Sequence, residues 1–349
     1  MTVKFTMAAG AAAFFGLVAC HDAQAGLYKE IRNWQVSCTN GLTCEMSYFG
    51  TNAQGFSHVG LRRAAAPEAG VEFLLPAGSD VNKDDGTGRY LVQIDGNEVV
   101  SIPVANTKVD DRMNVRVFGE KPFIDALLST MSAGSRMEIF YKGAVGNSAL
   151  QVPLDGVKGS LLYMDESQGR LGRADALVAR GDKAPPKEAP ARDLAQLSEL
   201  PPVVRNDFTA TNGGCSDLEE DSFGGFGAFE VSVDDTRLIV VPCGLGGAYN
   251  QPYAIYAGYD TILERVGFPD VRGRAPTVTS TAYNVDYDPK TKTLTSFFKG
   301  RGIGDCGVWY KWAVAGVSLV LAEKREKGDC DEKDMGGPQH FPVVWAAKP

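Results

Sequence analysis

Histidine is almost missing from this chain: 349 residues carry three, and only His58 and His340 lie beyond the first 25 positions. Neither has a second histidine or an unpaired cysteine close by, so the spacing of a structural or catalytic zinc site is absent. No Gly-x-Ser-x-Gly elbow, HExxH helix or phosphate-binding P-loop occurs either. No residue pattern calls for a metal or a cofactor, and His58, within a strand candidate, reads as structural. A basic excess is also lacking. Lys and Arg number 35 against 43 Asp and Glu, for a net charge of -8, which removes the electrostatic footprint of a nucleic-acid binder. Past the N-terminus no apolar run approaches the ~20 residues of a membrane helix.

Cysteine is present, and it is organised. Lys4, the apolar stretch Phe5 to Ala19 and the small-x-small site Ala23-Gln24-Ala25 read as an export signal cleaved before Gly26. Leu17-Val18-Ala19-Cys20 also resembles a lipoprotein box, which would put a lipid on Cys20. Either way six of the seven cysteines remain, in local pairs: Cys38 with Cys44, Cys215 with Cys243, Cys306 with Cys330. An oxidising compartment keeps such pairs bonded, so the expected location is the periplasm or the secreted fraction. Other pairings remain formally open, above all Cys243 with Cys306.

From Gly181 to Pro202 the chain reads GDKAPPKEAPARDLAQLSELPP, with five prolines and few large apolar residues. That composition predicts a linker between a first domain, 26–180, and a second, 203–349. Both read as antiparallel and mostly β, sandwich-like, with minor helices. In the first, alternating runs begin at Trp34 to Cys38 and Cys44 to Phe49. Asp95-Gly96-Asn97 predicts a hairpin over Tyr90 to Ile102. Helices are expected at Pro122 to Leu128 and Val157 to Ser167. In the second, strands are expected at Phe229 to Val233, Arg237 to Val241, Thr277 to Val285, Thr293 to Phe298, Val308 to Val314 and Val317 to Ala322. Asp288-Pro289-Lys290-Thr291 suits a hairpin connector, and Tyr253 to Val266 is the stretch allowed to be helical.

Three features bear on chemistry. Asp80 to Gly86 opens like a calcium loop, but glycine is missing at Asp85 and a bidentate Glu at Leu91, so a solvated turn is the better account. The acidic clusters at Asp217 to Asp221 and Asp329 to Asp334 read the same way. Two glycine-rich segments, Pro242 to Asn250 and Lys299 to Gly307, each surround a cysteine. Glycine admits close approach by a ligand, and a disulfide lowers the ordering cost of a loop. Lys299 and Arg301 are candidates to hold an anionic group, with Tyr249, Asn250 and Asp305 orienting a polar one. Trp309, Tyr310 and Trp312 share a strand, Trp309 on one face and the other two on the opposite face. They suit a core, with sugar stacking as the rival reading, and Trp34 suits a core beside the first disulfide.

NWQVSC with Cys44 following, LLYMDESQGR, PCGLGGAYN and FKGRGIGDCG together resemble the six-cysteine family of exported bacterial proteins known as domain of unknown function 1176. The first domain is also similar to invasion-associated locus B proteins, through Trp34, Cys38 and Cys44. The resemblance implies a periplasmic or secreted protein and brings no catalytic residues. The leading expectation is a non-catalytic binding or envelope-interaction protein for a small polar or anionic ligand or an envelope component. A hydrolase of envelope glycans using two carboxylates is the alternative, and a host-interaction factor the third.

Overall fold

Trp34, Val36 and Cys38 alternate with Gln35 and Ser37, and the strand Trp34–Cys38 buries the first set and exposes the second. The same period-2 rule builds most of the molecule. The computed structural model describes residues 27–348 except 53–54, 78–82, 219, 260 and 274. The expected export signal and the first residues of the calcium-like segment thus lie outside the described residues. Of that segment, Asp84 accepts bonds from the Gly86 and Gly88 N–H groups at 2.8 and 3.1 Å, closing a turn.

In the first half a seven-stranded antiparallel sheet runs in the order Leu27–Ile31, Trp34–Cys38, Cys44–Asn52, Gly55–Arg63, Val71–Pro76, Val115–Phe118, Lys108–Asp110. A four-stranded sheet, Gly146–Pro153, Arg136–Gly143, Arg89–Ile94, Asn97–Pro103, supplies a second layer. Met46, Leu61 and Phe73 from the first meet Tyr90, Ile102 and Ile139 from the second in one core. The expected hairpin is there, Ile94 opposite Asn97, with Asp95 and Gly96 both at positive φ as its two-residue turn demands. Both expected helices form. Lys121–Ala133 and Val157–Ser167 bury Leu127, Leu161 and Met164 in the same core, where Trp34 also lies.

The second half stacks two further antiparallel sheets. One runs Ala191–Leu194, Ala228–Val233, Thr236–Pro242, Pro252–Tyr259, Ile262–Val266. The other runs Val285–Asp288, Thr293–Lys299, Gly307–Ala315, Ser318–Lys327, Val343–Ala346. Phe229, Val240 and Ile255 pack against Leu294, Trp312 and Leu321 between them. The outer face of the first sheet is covered as well. Ile239, Val241 and Tyr256 lie under Val204 and Phe208 of the helix Pro202–Thr209 and beside Cys215 and Cys243.

That double burial corrects one expectation. Tyr253 to Val266 is an antiparallel hairpin, Tyr259 opposite Ile262, and not a helix. A strand covered on both faces is apolar throughout and shows no alternation, so its periodicity does not separate it from a buried helix. A second correction concerns 181–202. Residues 181–190 lie outside the strands and helices and are largely exposed; Ala191–Leu194 is an edge strand paired with Ala228–Val233, and Leu194, Leu197 and Leu200 are buried. Proline content marked the stretch as open, but three leucines at its end reach a core. Thr277 to Val285, expected as one strand, is divided among Ala275–Thr279, Ala282–Tyr283 and Val285–Asp288.

The two halves share packing. Leu42 and Ala65 of the first belong to the core of the second. The LLYMDESQGR segment fixes that junction from behind. Asp165 accepts from Arg63 Nη2 at 2.8 Å and from the Leu177 and Val178 N–H groups. Gln168 accepts from Arg63 Nε at 2.7 Å and donates to the carbonyls of Leu42 and Arg63. Arg170 donates to the carbonyls of Ala65 and Ala66. The LLYMDESQGR segment is therefore a clamp on the chain segments that touch the second half.

Candidate functional site

All three local cysteine pairs are bonded: Cys38–Cys44, Cys215–Cys243 and Cys306–Cys330. The first closes a tight turn whose tip enters the second half. Thr39 Oγ1 donates to Asp193 Oδ2 at 2.7 Å and the Gly41 N–H to Asp193 Oδ1 at 3.1 Å. Asn40 Nδ2 donates to the Val285 carbonyl at 3.2 Å, and Asn40 Oδ1 accepts the Tyr287 N–H at 2.9 Å. Asn40 therefore plays the part of a strand neighbour for an otherwise open edge. Gly41 has no alternative: a β-carbon there would sit 2.1 Å from the Asp193 nitrogen.

Between this turn and the two sheets of the second half lies a cleft of about 860 Å³, within the range of small-molecule sites. Its aromatic lining comes from both sheets and their loops: Phe226, Tyr249, Tyr253, Phe297 and Trp309. Phe226 and Tyr249 leave 38% and 37% of their surface open. Tyr253 is held, its hydroxyl donating to the Phe226 carbonyl, and burial raises its pKa. Trp309 is opposite Phe297 across adjacent strands, on the face away from Trp312. Trp312 is core, bonded to the Pro269 carbonyl at 2.7 Å and stacked on Tyr310.

Charged groups stand among these rings. Asp286 is opposite Thr295, and Thr295, Phe297 and Lys299 project from alternate positions of one strand, all four lining the cleft. Burial pushes the Asp286 carboxyl up to about 7, opposed by a long 3.4 Å bond from Asn40 and by the charge of Lys299. Asp286 makes no ion pair among the described residues, and neither Lys299 Nζ nor the Arg112 guanidinium has a side-chain hydrogen bond or ion pair there. Asp193 lines the same space from the facing sheet. No cluster of His, Cys, Asp and Glu suited to a metal occurs among the described residues.

Of the residues singled out in the sequence, Tyr249, Asn250 and Lys299 line the cleft and Arg301 and Asp305 do not. Asn250 is largely committed to structure. Its amide donates to the Lys299 carbonyl and its oxygen accepts the Lys299 N–H, each at 2.9 Å, which ties the two glycine loops together. The loops also touch where Gly302 faces the Tyr249 ring. Arg301 is turned inward on its own loop, with Nε and Nη2 each 2.8 Å from the Asp305 carboxylate. That pair holds the Asp305 carboxyl far below the usual range. Asp305 also accepts the Glu332 N–H at 2.7 Å, so the pair braces the loop of the third disulfide. Arg301 is thus engaged with Asp305 and does not line the cleft. His58 stands elsewhere, on the seven-stranded sheet. One ring nitrogen meets both Ser47 Oγ at 3.0 Å and Glu45 Oε1 at 3.2 Å, so the three do not form a relay through opposite nitrogens.

Sequence reasoning missed Asp286, Asp193, Asn40, Phe226 and Arg112. None belongs to a motif. Asp286 reads as one polar residue of an alternating strand, and its value comes from what the first half places above it. Gln251 carried a faint signal beside the PCGLGGAYN segment. It is 8% exposed, and its Oε1 has no hydrogen-bond partner, lying where a β-carbon on Gly246 would meet it at 2.3 Å.

Comparison with known proteins agrees with the sequence motifs. An "Uncharacterized protein YpfG" of Escherichia coli strain K12 is 27% identical over 219 residues, which is 56% of this chain and 60% of that protein's length. The crystal structure of invasion associated protein B from Bartonella henselae overlays on 41% of this chain and 99% of its own, with 16% identity and a TM-score of 0.28. The family model described as "Protein of unknown function (DUF1176)" matches residues 28–348, and the chain belongs to that family.

Proposed function

We propose that this is an exported, periplasmic binding protein whose ligand is a small polar molecule held in the cleft beside the Cys38–Cys44 turn. The observation that carries the reading is the make-up of that cleft: two partly open rings, Phe226 and Tyr249, facing a wall with an unpaired carboxyl, Asp286, and an unpaired amine, Lys299. Concave sites with apolar walls and a few converging polar groups are the common form of small-ligand sites. The three disulfides support export, because such bonds persist in oxidising compartments. The Cys38–Cys44 turn would preorganise one wall and so reduce the ordering cost of binding. The test is thermal shift of the wild-type chain and of Tyr249→Ala against envelope metabolites and glycan fragments. A ligand of the cleft raises the wild-type melting temperature and leaves the variant unmoved; an equal shift in both places the ligand elsewhere.

One observation favours a second reading. Asp193 and Asp286 line the same cleft and bond to adjacent residues, Gly41 and Asn40, whose Cα atoms are ~3.8 Å apart. Two carboxyl groups across a sugar-sized space are the apparatus of glycoside hydrolysis. Reducing sugar released from envelope glycan by the wild-type chain, and lost in Asp286→Asn with binding retained, would select this reading over simple binding.

A further inference from the structure

Several partly buried charges of this protein have a partner of opposite sign. Arg62 has Glu72, Lys324 has Asp270, and Arg301 has Asp305, all at 2.8 or 2.9 Å. The cleft gathers charges of both signs, and among the described residues no ion pair joins them. Strand geometry explains why. Lys299 lies four residues beyond Thr295 along one strand, about 13 Å at the usual rise, and Thr295 is the residue opposite Asp286. Their side chains face one space from separated anchor points, leaving a gap of molecular size.

We propose that the cleft takes a zwitterionic small molecule, its cationic amine against Asp286 and the aromatic wall and its anionic end against Lys299 and Arg112. The inference rests on the reading of the cleft as a ligand site. A desolvated carboxyl amid Tyr253, Phe297 and Trp309 suits an ammonium group, which gains from the carboxylate and from the ring faces together. A simple anion would meet Asp286 and Asp193, and a simple cation would leave Lys299 and Arg112 turned toward it. A neutral ligand would cover both signs of charge without compensating either, and covering an unpaired charge is costly. Gln251 Oε1, buried without a donor beneath Gly246, is a further acceptor available to an N–H group if that loop shifts.

Calorimetric titration of the wild-type chain tests this with phosphocholine and alanyl-alanine as zwitterions, choline and inorganic phosphate as single charges, and methyl glucoside as a neutral ring. We expect at least one zwitterion to bind about tenfold or more tighter than either single charge. Asp286→Asn and Lys299→Met, each folded by circular dichroism, should remove that advantage. Preference for phosphocholine assigns a lipid-headgroup source, and preference for alanyl-alanine a peptide source. Single charges binding as tightly as zwitterions, or both variants keeping the wild-type affinity, overturns the inference. If methyl glucoside binds and no zwitterion does, the inference falls while the cleft stands as a ligand site; if no probe binds, both fall.

Discussion

Two groups of charged residues sit on either side of the Cys38–Cys44 turn, and they follow opposite rules. Behind the turn, Arg63 and Asp165 are 2% and 0% exposed and fully engaged: the guanidinium uses Nε, Nη1 and Nη2, and the carboxylate takes the arginine and two backbone N–H groups. In front of it, Asp286 has one long bond from Asn40 and Lys299 has no side-chain partner among the described residues. A satisfied buried network rigidifies the structure around it. An unsatisfied set facing open space keeps its interaction energy for something that arrives later. Charge content does not distinguish the two, since both hold carboxylates and cations. What differs is whether the fold completes them.

The comparison can be broken most severely at the network. Asp165→Ala leaves Arg63 buried without its carboxylate, and removing one partner of such a pair costs about 3–5 kcal/mol. Urea unfolding should show that loss as a lower midpoint, while Lys299→Met, on the other side of the turn, moves it by no more than about 0.5 kcal/mol. Equal effects would erase the distinction between the two groups.

Gly41→Ala probes the turn itself. Its β-carbon would overlap backbone of Arg192 and Asp193, so the turn must withdraw, and we expect a loss of about 1–3 kcal/mol, as overpacking gives. Ligand affinity should fall with it, because Thr39 and Asn40 leave the cleft wall. A variant of wild-type stability and affinity would show that the halves meet without this contact.

Asp286 sharpens the comparison through pH. Burial raises its carboxyl from 3.8 in the unfolded chain to about 7, against the pull of Lys299 and the Asn40 bond. The folded state thus holds this proton more tightly. That contribution to stability is full below about 4 and is lost as pH rises through about 7. Melting temperatures of the wild-type chain and Asp286→Asn should therefore diverge between about pH 4 and 7, the variant gaining on the wild type as pH rises. A constant difference across that window would mean that Asp286 ionises freely.

A small effect is expected at Arg301→Ala. Its guanidinium is partly open to solvent, and Cys306–Cys330 and the Glu332 N–H also hold the Asp305 loop, so the unfolding midpoint should move little. Binding in the cleft should be unchanged. Loss of binding in a folded Arg301→Ala would return this residue to the site.

Much of this was open to reading from the chain alone, for local reasons. Disulfide partners are near in sequence, Asp95-Gly96 imposes its own turn, and strands with one wet face announce themselves by alternation, as Trp34–Cys38 does. The PCGLGGAYN and FKGRGIGDCG segments led to one end of the cleft through Tyr249 and Lys299. Where neighbours decide, the sequence was silent. Pro252–Tyr259 is nearly uniform because it is covered on both faces, and Leu194, Leu197 and Leu200 among prolines turn out to serve a core. Arg301 looked available, and only the fold shows it folded back on Asp305. Asp286 looked like one polar residue of a strand. It became a raised carboxyl in a cleft because a turn from more than 240 positions earlier closes over it, and desolvation is a property of surroundings that no residue carries in its own identity.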